Sequence, residues 1–301
     1  MGISYSEAKS LWQARLAGRP FESMAMIAHQ QLFLHPAEVA ELQAGYRKVA
    51  APDAPPPLAD YAFGEYIDRF CREYLGVSRL DIIDYSAYEG ATIVHDMNQP
   101  VPDRLHNSFD VVLEAGSLEH IFAFPVAIAN LMQMAKTGGT ILLTTPANNL
   151  CGHGFYQFSP ELMYRIFSPE NGFEAPRVLF LEATFPGVEL TPARGVFEVA
   201  DPAAMRCRVG LRSKYPTMMM VEAKKVRHVT PFQTMPQQSD YVALWEQAAP
   251  AGSQARVSAV KALWRRVLRT LPVSWKRHIE GRQSNFQYSL ANKNFYRKTR
   301  I

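Results

Sequence analysis

Between residues 109 and 144 the chain reads strand, helix, glycine pair, strand, and no other feature restricts the fold as much. Phe109–Leu113 is a short apolar run, and Phe124–Lys136 places Val126, Ala127, Ala129, Leu131 and Met134 at helical spacing. Gly138-Gly139 stops that helix, and Thr140–Thr144 is a second apolar run. Two strands joined through a helix form a βαβ unit, which makes them parallel and the crossover right-handed. Further short apolar runs at Leu80–Ile83, Thr92–Val94, Val178–Leu181 and Met218–Val221 extend the pattern. The expected fold is α/β, a doubly wound and mostly parallel sheet.

Around that unit the chain divides by composition. Residues 1–58 are expected to be a helical N-terminal extension closed by the proline-rich connector APDAPPPLAD (51–60), where successive prolines cannot continue a helix. Tyr61–Leu75 carries Phe63, Tyr66, Ile67, Phe70 and Tyr74 at helical spacing and opens an α/β domain over 59–229. Residues 230–301 read as a linker followed by a basic helical tail. Residues 251–301 hold twelve Lys/Arg against the single acid Glu280, a net +11; the whole chain is +4, so the first 250 residues carry −7. Within the tail, Val257, Val260, Trp264, Val267, Leu268 and Leu271 recur at helical spacing among Arg256, Lys261, Arg265, Arg266 and Arg269. Such a basic amphipathic segment (253–301) suits an anionic membrane surface, its own domain or a partner subunit. No nucleic-acid recognition motif accompanies the charge. Three widely spaced cysteines, Cys71, Cys151 and Cys207, argue against a disulfide framework or zinc site, and no run has the length of a signal or membrane span. The expectation is a cytoplasmic protein, with peripheral membrane contact through the tail as an option.

In open α/β sheets, ligands bind beyond the carboxyl ends of the strands. Each apolar run here gives way to polar residues: Asp84, Tyr85 and Ser86; then His95, Asp96, Met97 and Asn98; then Glu114, Gly116, Ser117, Glu119 and His120; and finally TTPANNLCGHGFYQFSPE (144–161). A strand-end carboxylate accepts hydrogen bonds from both hydroxyls of a ribose, and a second one a strand away can meet an adenine amino group. Ser159-Pro160-Glu161 is a helix start, with a hydroxyl cap, proline in the first turn and an acid at the positive dipole end.

These blocks, DIIDYS, HDMNQPVP, FDVVLEAGSLEHI, KTGGTILLTTP and GHGFYQFSPEL, resemble class I S-adenosylmethionine-dependent methyltransferases from about Tyr61 to Phe173. The likeness is closest to a bacterial subgroup with YEGAT, HD-x-N, LEH and PANN…GHGFYQFSPE blocks, whose members often accompany surface-polysaccharide genes. The resemblance implies a Rossmann-like methyltransferase fold with S-adenosylmethionine as cofactor. It makes Asp84 the ribose-binding acid after the second strand, with Ser86 beside it. It makes Asp96, with Met97, the adenine-side group after the third strand, and Glu114 and Gly116 the lining of the methionine part after the fourth. The family's glycine-rich loop after the first strand is absent: either Ala62-Phe63-Gly64 forms a reduced version, with Gly64 at the cofactor, or the first strand is lost.

On the acceptor side, His153 and His120 are candidate general bases, and Glu119 orients or substitutes for them. Asn148, Asn149, Phe155 and Tyr156 are candidates for contact with a small-molecule or glycan acceptor. Each has a plainer alternative: the histidines as structural groups, the asparagines as turn formers, the aromatics as core. Cys151-x-His153 lacks a second ligand pair at metal spacing, so no metal is expected. The activity implied is methyl transfer to oxygen of a saccharide or related small molecule in surface-glycan biosynthesis. The alternative is a methyltransferase-like scaffold that has lost its cofactor. A nicotinamide enzyme would need G-x-G-x-x-G after a strand, and the chain has none.

Overall fold

The computed structural model describes residues 2–51, 56–183, 193–248 and 272–301. A short parallel pair, β1 (Gly2–Ser4) with β3 (Gln31–Phe33), stands apart from the main sheet. Among the described residues, that main sheet has nine strands. Its parallel part is β2 (Ser23–Ile27), β4 (Arg79–Asp84), β5 (Ile93–Val94), β6 (Phe109–Ala115) and β7 (Ala135–Asn148). Its antiparallel part is β8 (Arg177–Glu182), β9 (Gly195–Val199), β10 (Thr217–Lys224) and β11 (Tyr296–Thr299). The order across the sheet is β11-β9-β8-β10-β7-β6-β2-β4-β5.

The βαβ unit stands as the sequence implies, β6, α4 (Phe124–Met134) and β7, with Val111 opposite Thr140 and Leu113 opposite Leu142, but the helix ends at Met134 and Gly138-Gly139 lies inside β7 instead of stopping it. The glycine pair is needed for a steric reason. Gly138 has φ +88°, and a Cβ on Gly139 would stand 2.9 Å from the Asp110 carbonyl oxygen. Buried Lys225 donates Nζ to the Met132 and Ala135 carbonyls at 2.8 Å each, satisfying the end of α4.

Residues 1–58 are not an extension outside the sheet. They supply α1 (Tyr5–Leu16) and α2 (Pro36–Arg47), but also β2, which pairs with both β4 and β6 at the sheet's centre. The first strand is therefore present, and the alternative that it is lost is corrected. All five residues of SMAMI are buried, with Met24 and Met26 packing on one face and Ala25 and Ile27 on the other. A strand covered on both faces shows no polar alternation, and neither Met nor Ala is among the strand-favouring residues. The expected helix over Tyr61–Leu75 is likewise shorter, α3 (Asp68–Glu73). Tyr61 instead donates its hydroxyl to the Leu32 carbonyl at 2.5 Å.

Nor is 230–301 a separate tail. α7 (Ser239–Ala248) and α8 (Val273–Gln287) precede β11, whose Tyr296 is buried beside Phe295 and donates its hydroxyl to the Gly210 carbonyl at 2.6 Å. Two further short helices among the described residues are α5 (Pro160–Ile166) and α6 (Pro202–Met205). The amphipathic run 253–271 lies outside the described residues. Among those described, no helix is long and apolar enough to cross a membrane.

Candidate functional site

From β2 the chain winds outward in both directions, to β4 and β5 on one side and to β6 and β7 on the other. The strand order reverses at β2/β6, and a crevice opens there at the carboxyl ends. The loop leaving β2 is Ala28-His29-Gln30, which corrects the assignment to Ala62-Phe63-Gly64. Gly64 lies elsewhere, in a turn whose N–H donates to the Leu32 carbonyl at 3.0 Å. Ala28 takes φ +55°, a left-handed conformation that costs an alanine roughly 1–2 kcal/mol. Its N–H is held by the Ile83 carbonyl at 2.9 Å. His29 pins the loop to its neighbours: Nδ1 is 2.6 Å from the Glu89 carbonyl oxygen, Nε2 is 2.7 Å from Asp68 Oδ2, and the ring stacks on Tyr66 at 3.5 Å. No glycine marks this loop, which is why a search for a glycine motif passes over it.

A cleft of about 290 Å³ occupies the crevice, lined by Ala28, Asp84, Asp96, Met97, Ser117 and His120 among others. That volume is at the small end of ligand sites. Asp84 ends β4, and its Oδ1 accepts the Tyr85 N–H at 2.6 Å. Asp96 accepts from the Asn98 N–H and Nδ2 at 2.9 and 2.8 Å, and these bonds hold its carboxyl below the usual range. Met97 is buried against the core. Ser86, Glu114 and Gly116 are not part of the lining. Ser86 is exposed, and Gly116, at φ +88°, ties the end of β6 to the Thr144 carbonyl at 2.9 Å. Glu114 turns inward, its Oε1 accepting the N–H groups of Ser117 and Leu118 at 2.5 and 2.8 Å.

Beside the cleft the LEH and GHG blocks close on each other. Gly154 has φ +106°, and a Cβ there would stand 2.9 Å from the Glu119 carbonyl oxygen and 3.1 Å from His120 Nδ1. Only glycine allows that approach. The Phe155 N–H then donates to the Glu119 carbonyl at 2.8 Å. His153 Nε2 comes 3.5 Å from Oε1 of fully buried Glu119, and the His120 and His153 rings are 5.4 Å apart. Thr145 Oγ1 donates to the other Glu119 oxygen at 3.3 Å. Burial raises the Glu119 carboxyl; it also raises Glu114, which the Glu119 charge pushes further. His120 is lowered by burial and by neighbouring His153.

The remaining candidates have partners of their own. Asn149 donates to the Ser213 and Tyr215 carbonyls at 2.9 and 3.1 Å, and Asn148 to Ser213 Oγ at 3.2 Å, so the asparagines fasten the 144–161 stretch to the 213–215 loop. Tyr156 donates its hydroxyl to the Phe122 carbonyl at 2.7 Å. Phe155 and Phe122 are both exposed and meet edge to face at 6.0 Å.

The raised carboxyls set a pH dependence of stability. Ordinary glutamates release their protons near 4.5, whereas the folded chain retains them to higher pH. The folded state therefore binds more protons over that window, and stability falls as pH rises from about 5 toward 8. Glu114→Gln, a mimic of the protonated form, is expected to flatten that slope and raise the melting temperature at pH 8 by roughly 2–4 °C, about 1 kcal/mol. An unchanged slope in thermal unfolding would show that Glu114 is ionised in the folded protein.

No family model matches the chain, and no curated protein does. Solved structures similar to it include a SAM-dependent methyltransferase from Thermotoga maritima (14% identity, 74% of this chain and 90% of that one, TM-score 0.39). A SAM-dependent methyltransferase from Archaeoglobus fulgidus (12%, 72% and 93%, 0.38) and the N-methyltransferase NodS from Bradyrhizobium japonicum (11%, 73% and 94%, 0.34) are others. Likenesses of this size assign neither activity nor substrate. On its own geometry the chain is a doubly wound α/β protein whose acid-lined crevice adjoins a carboxylate–imidazole cluster.

Proposed function

We propose that this chain is an S-adenosylmethionine-dependent methyltransferase, acting on an oxygen of a saccharide or related small molecule. The observation that carries the reading is that Asp84 and Asp96, from adjacent parallel strands, line one cleft together with His120. Asp84 suits a ribose diol, because a carboxylate accepts from two hydroxyls at once. Asp96 would accept from an adenine amino group, with Met97 as an apolar wall. S-adenosylmethionine supplies a methyl on a cationic sulfur, which keeps the S–C electron pair when the acceptor oxygen takes the methyl.

The chain has two remaining tasks. It positions the acceptor and excludes water, which is worth roughly 7–11 kcal/mol in well-aligned systems. It also takes the acceptor's proton, which passes to the Glu119–His120–His153 cluster. Burial brings the Glu119 carboxyl closer to neutrality, where a general base works best. The exposed Phe155–Phe122 pair suits the C–H face of a sugar ring. The excess positive charge of 253–301, whose last strand β11 is built into the sheet, suits an anionic membrane surface, in keeping with a lipid-linked acceptor.

Calorimetric titration with S-adenosylmethionine tests the cofactor assignment. Asp84→Ala is expected to weaken binding roughly 10–100-fold, the worth of a charge-assisted hydrogen bond of about 1.5–3 kcal/mol. Equal affinity in wild type and variant would remove Asp84 from the site. A scaffold without cofactor is the second reading, favoured by Ala28-His29-Gln30 standing where the resemblance calls for glycines. No heat and no thermal shift at millimolar ligand would select it, since a ligand at a hundredfold over its Kd stabilises by about 2.7 kcal/mol.

A further inference from the structure

We infer that Glu119, His120 and His153 form a binding site for one divalent transition-metal ion of the Zn²⁺ type. One donor atom from each residue lies within 4.8 Å of the other two. Metal–ligand bonds of about 2.0–2.2 Å in a tetrahedral site put donor atoms roughly 3.3 Å apart. The Glu119 Oε1–His153 Nε2 pair, at 3.5 Å, is already near that spacing.

The second observation is the carboxylate itself. Glu119 Oε1 is buried and has no hydrogen-bond donor among the described residues, since His153 Nε2 falls outside hydrogen-bond geometry. A buried anionic oxygen left without a donor is costly, and a cation at this point would satisfy it. The other oxygen accepts from Thr145 Oγ1, the kind of supporting bond that orients a metal-binding carboxylate. Neither imidazole makes a hydrogen bond among the described residues, so both rings keep a nitrogen for a ligand bond. The left-handed Gly154 lets the GHG turn come close enough to bring His153 to Glu119 at all.

Two imidazoles and one carboxylate are a donor set for Zn²⁺, Co²⁺, Mn²⁺ or Fe²⁺ rather than for Mg²⁺ or Ca²⁺. Three protein ligands leave a position open, as in catalytic zinc sites. His120 also lines the acid-bearing cleft, so a metal held by these three residues would adjoin it. With a metal bound, an acceptor hydroxyl could take the open position and release its proton to solvent, in place of direct transfer to the three side chains. That use rests on the methyl-transfer reading; the binding site does not. The sequence conceals it because Glu119 and His120 are adjacent while His153 is 33 residues away, so no ligand spacing appears.

Untagged full-length chain, stripped with chelator and free of cofactor and acceptor, would be titrated with Co²⁺ by visible absorption and with Zn²⁺ by calorimetry. The expected result is one Co²⁺ per chain with ligand-field bands that Zn²⁺ abolishes. His153→Ala and Glu119→Gln should each weaken affinity beyond the roughly 10–100-fold that loss of a supporting bond costs. His153 is 49% exposed, so its replacement leaves the core intact, and far-UV circular dichroism confirms the fold of both variants. No saturable binding, or binding that survives both substitutions, overturns the site. S-adenosylmethionine titration of the same preparation separates the two ideas. Cofactor binding without metal binding removes only the metal site. Metal binding without cofactor binding removes only the methyl-transfer reading.

Discussion

Glu119→Gln is expected to lower methyl transfer by about 10²–10⁴-fold, the range that a positioned proton acceptor contributes. The substitution is nearly isosteric. The buried side chain can keep its contact with Thr145 Oγ1, and the backbone carbonyl that holds Phe155 is untouched. The loss is of a negative oxygen able to take a proton or hold a cation. Cofactor affinity should stay within about threefold, because Glu119 does not line the acid-bearing cleft and a shift that small is under 1 kcal/mol. His153→Ala should cost less, since Glu119 remains in place. The assay is transfer of label from methyl-tritiated S-adenosylmethionine into a glycan extract of cells lacking the protein. A Glu119→Gln variant that keeps more than about a tenth of wild-type turnover, a loss below the range for a positioned base, would remove this carboxylate from the reaction.

Deleting residues 1–58 is expected to abolish folding altogether. β2 is hydrogen-bonded on both sides, so its loss strips partners from β4 and β6 at the middle of the sheet. The same segment buries Leu11, Trp12, Met24, Met26, Ile27, Leu32 and Leu34. At about 1.5–3 kcal/mol for each fully buried apolar side chain, that sum is as large as the whole net stability of many domains, about 5–15 kcal/mol. Ala25→Asp, which puts an unpaired charge into a fully buried position, should act in the same direction through a single side chain. Circular dichroism and limited proteolysis of the 59–301 fragment decide the matter: a cooperatively melting, protease-resistant fragment would make the N-terminal segment a true extension.

Some of this architecture can be read without coordinates. The β6–α4–β7 unit is legible because an amphipathic helix, a glycine pair and an apolar run are each local patterns, and handedness is set by backbone chirality. Acids after β4 and β5 point to a ligand edge because parallel strands deliver their carboxyl ends to the same side. β2 is not legible. Its neighbours in the sheet, β4 and β6, lie about 55 and 85 residues further along the chain, and a strand buried on both faces has no period to betray it. Nor do Asn148 and Asn149 announce that they fasten a loop more than 60 residues away.

The amino-acid order alone therefore determined the sheet class, the parallel crossover and the carboxyl-edge acids, all of which arise from interactions within a few turns of chain. Tertiary structure alone decided which strand is central, that Ala28 rather than a glycine turns the loop beside the cleft, and that Glu119 meets His153. Those are contacts between segments far apart in sequence. Their energy comes from close packing and desolvation, and neither exists until the chain has folded.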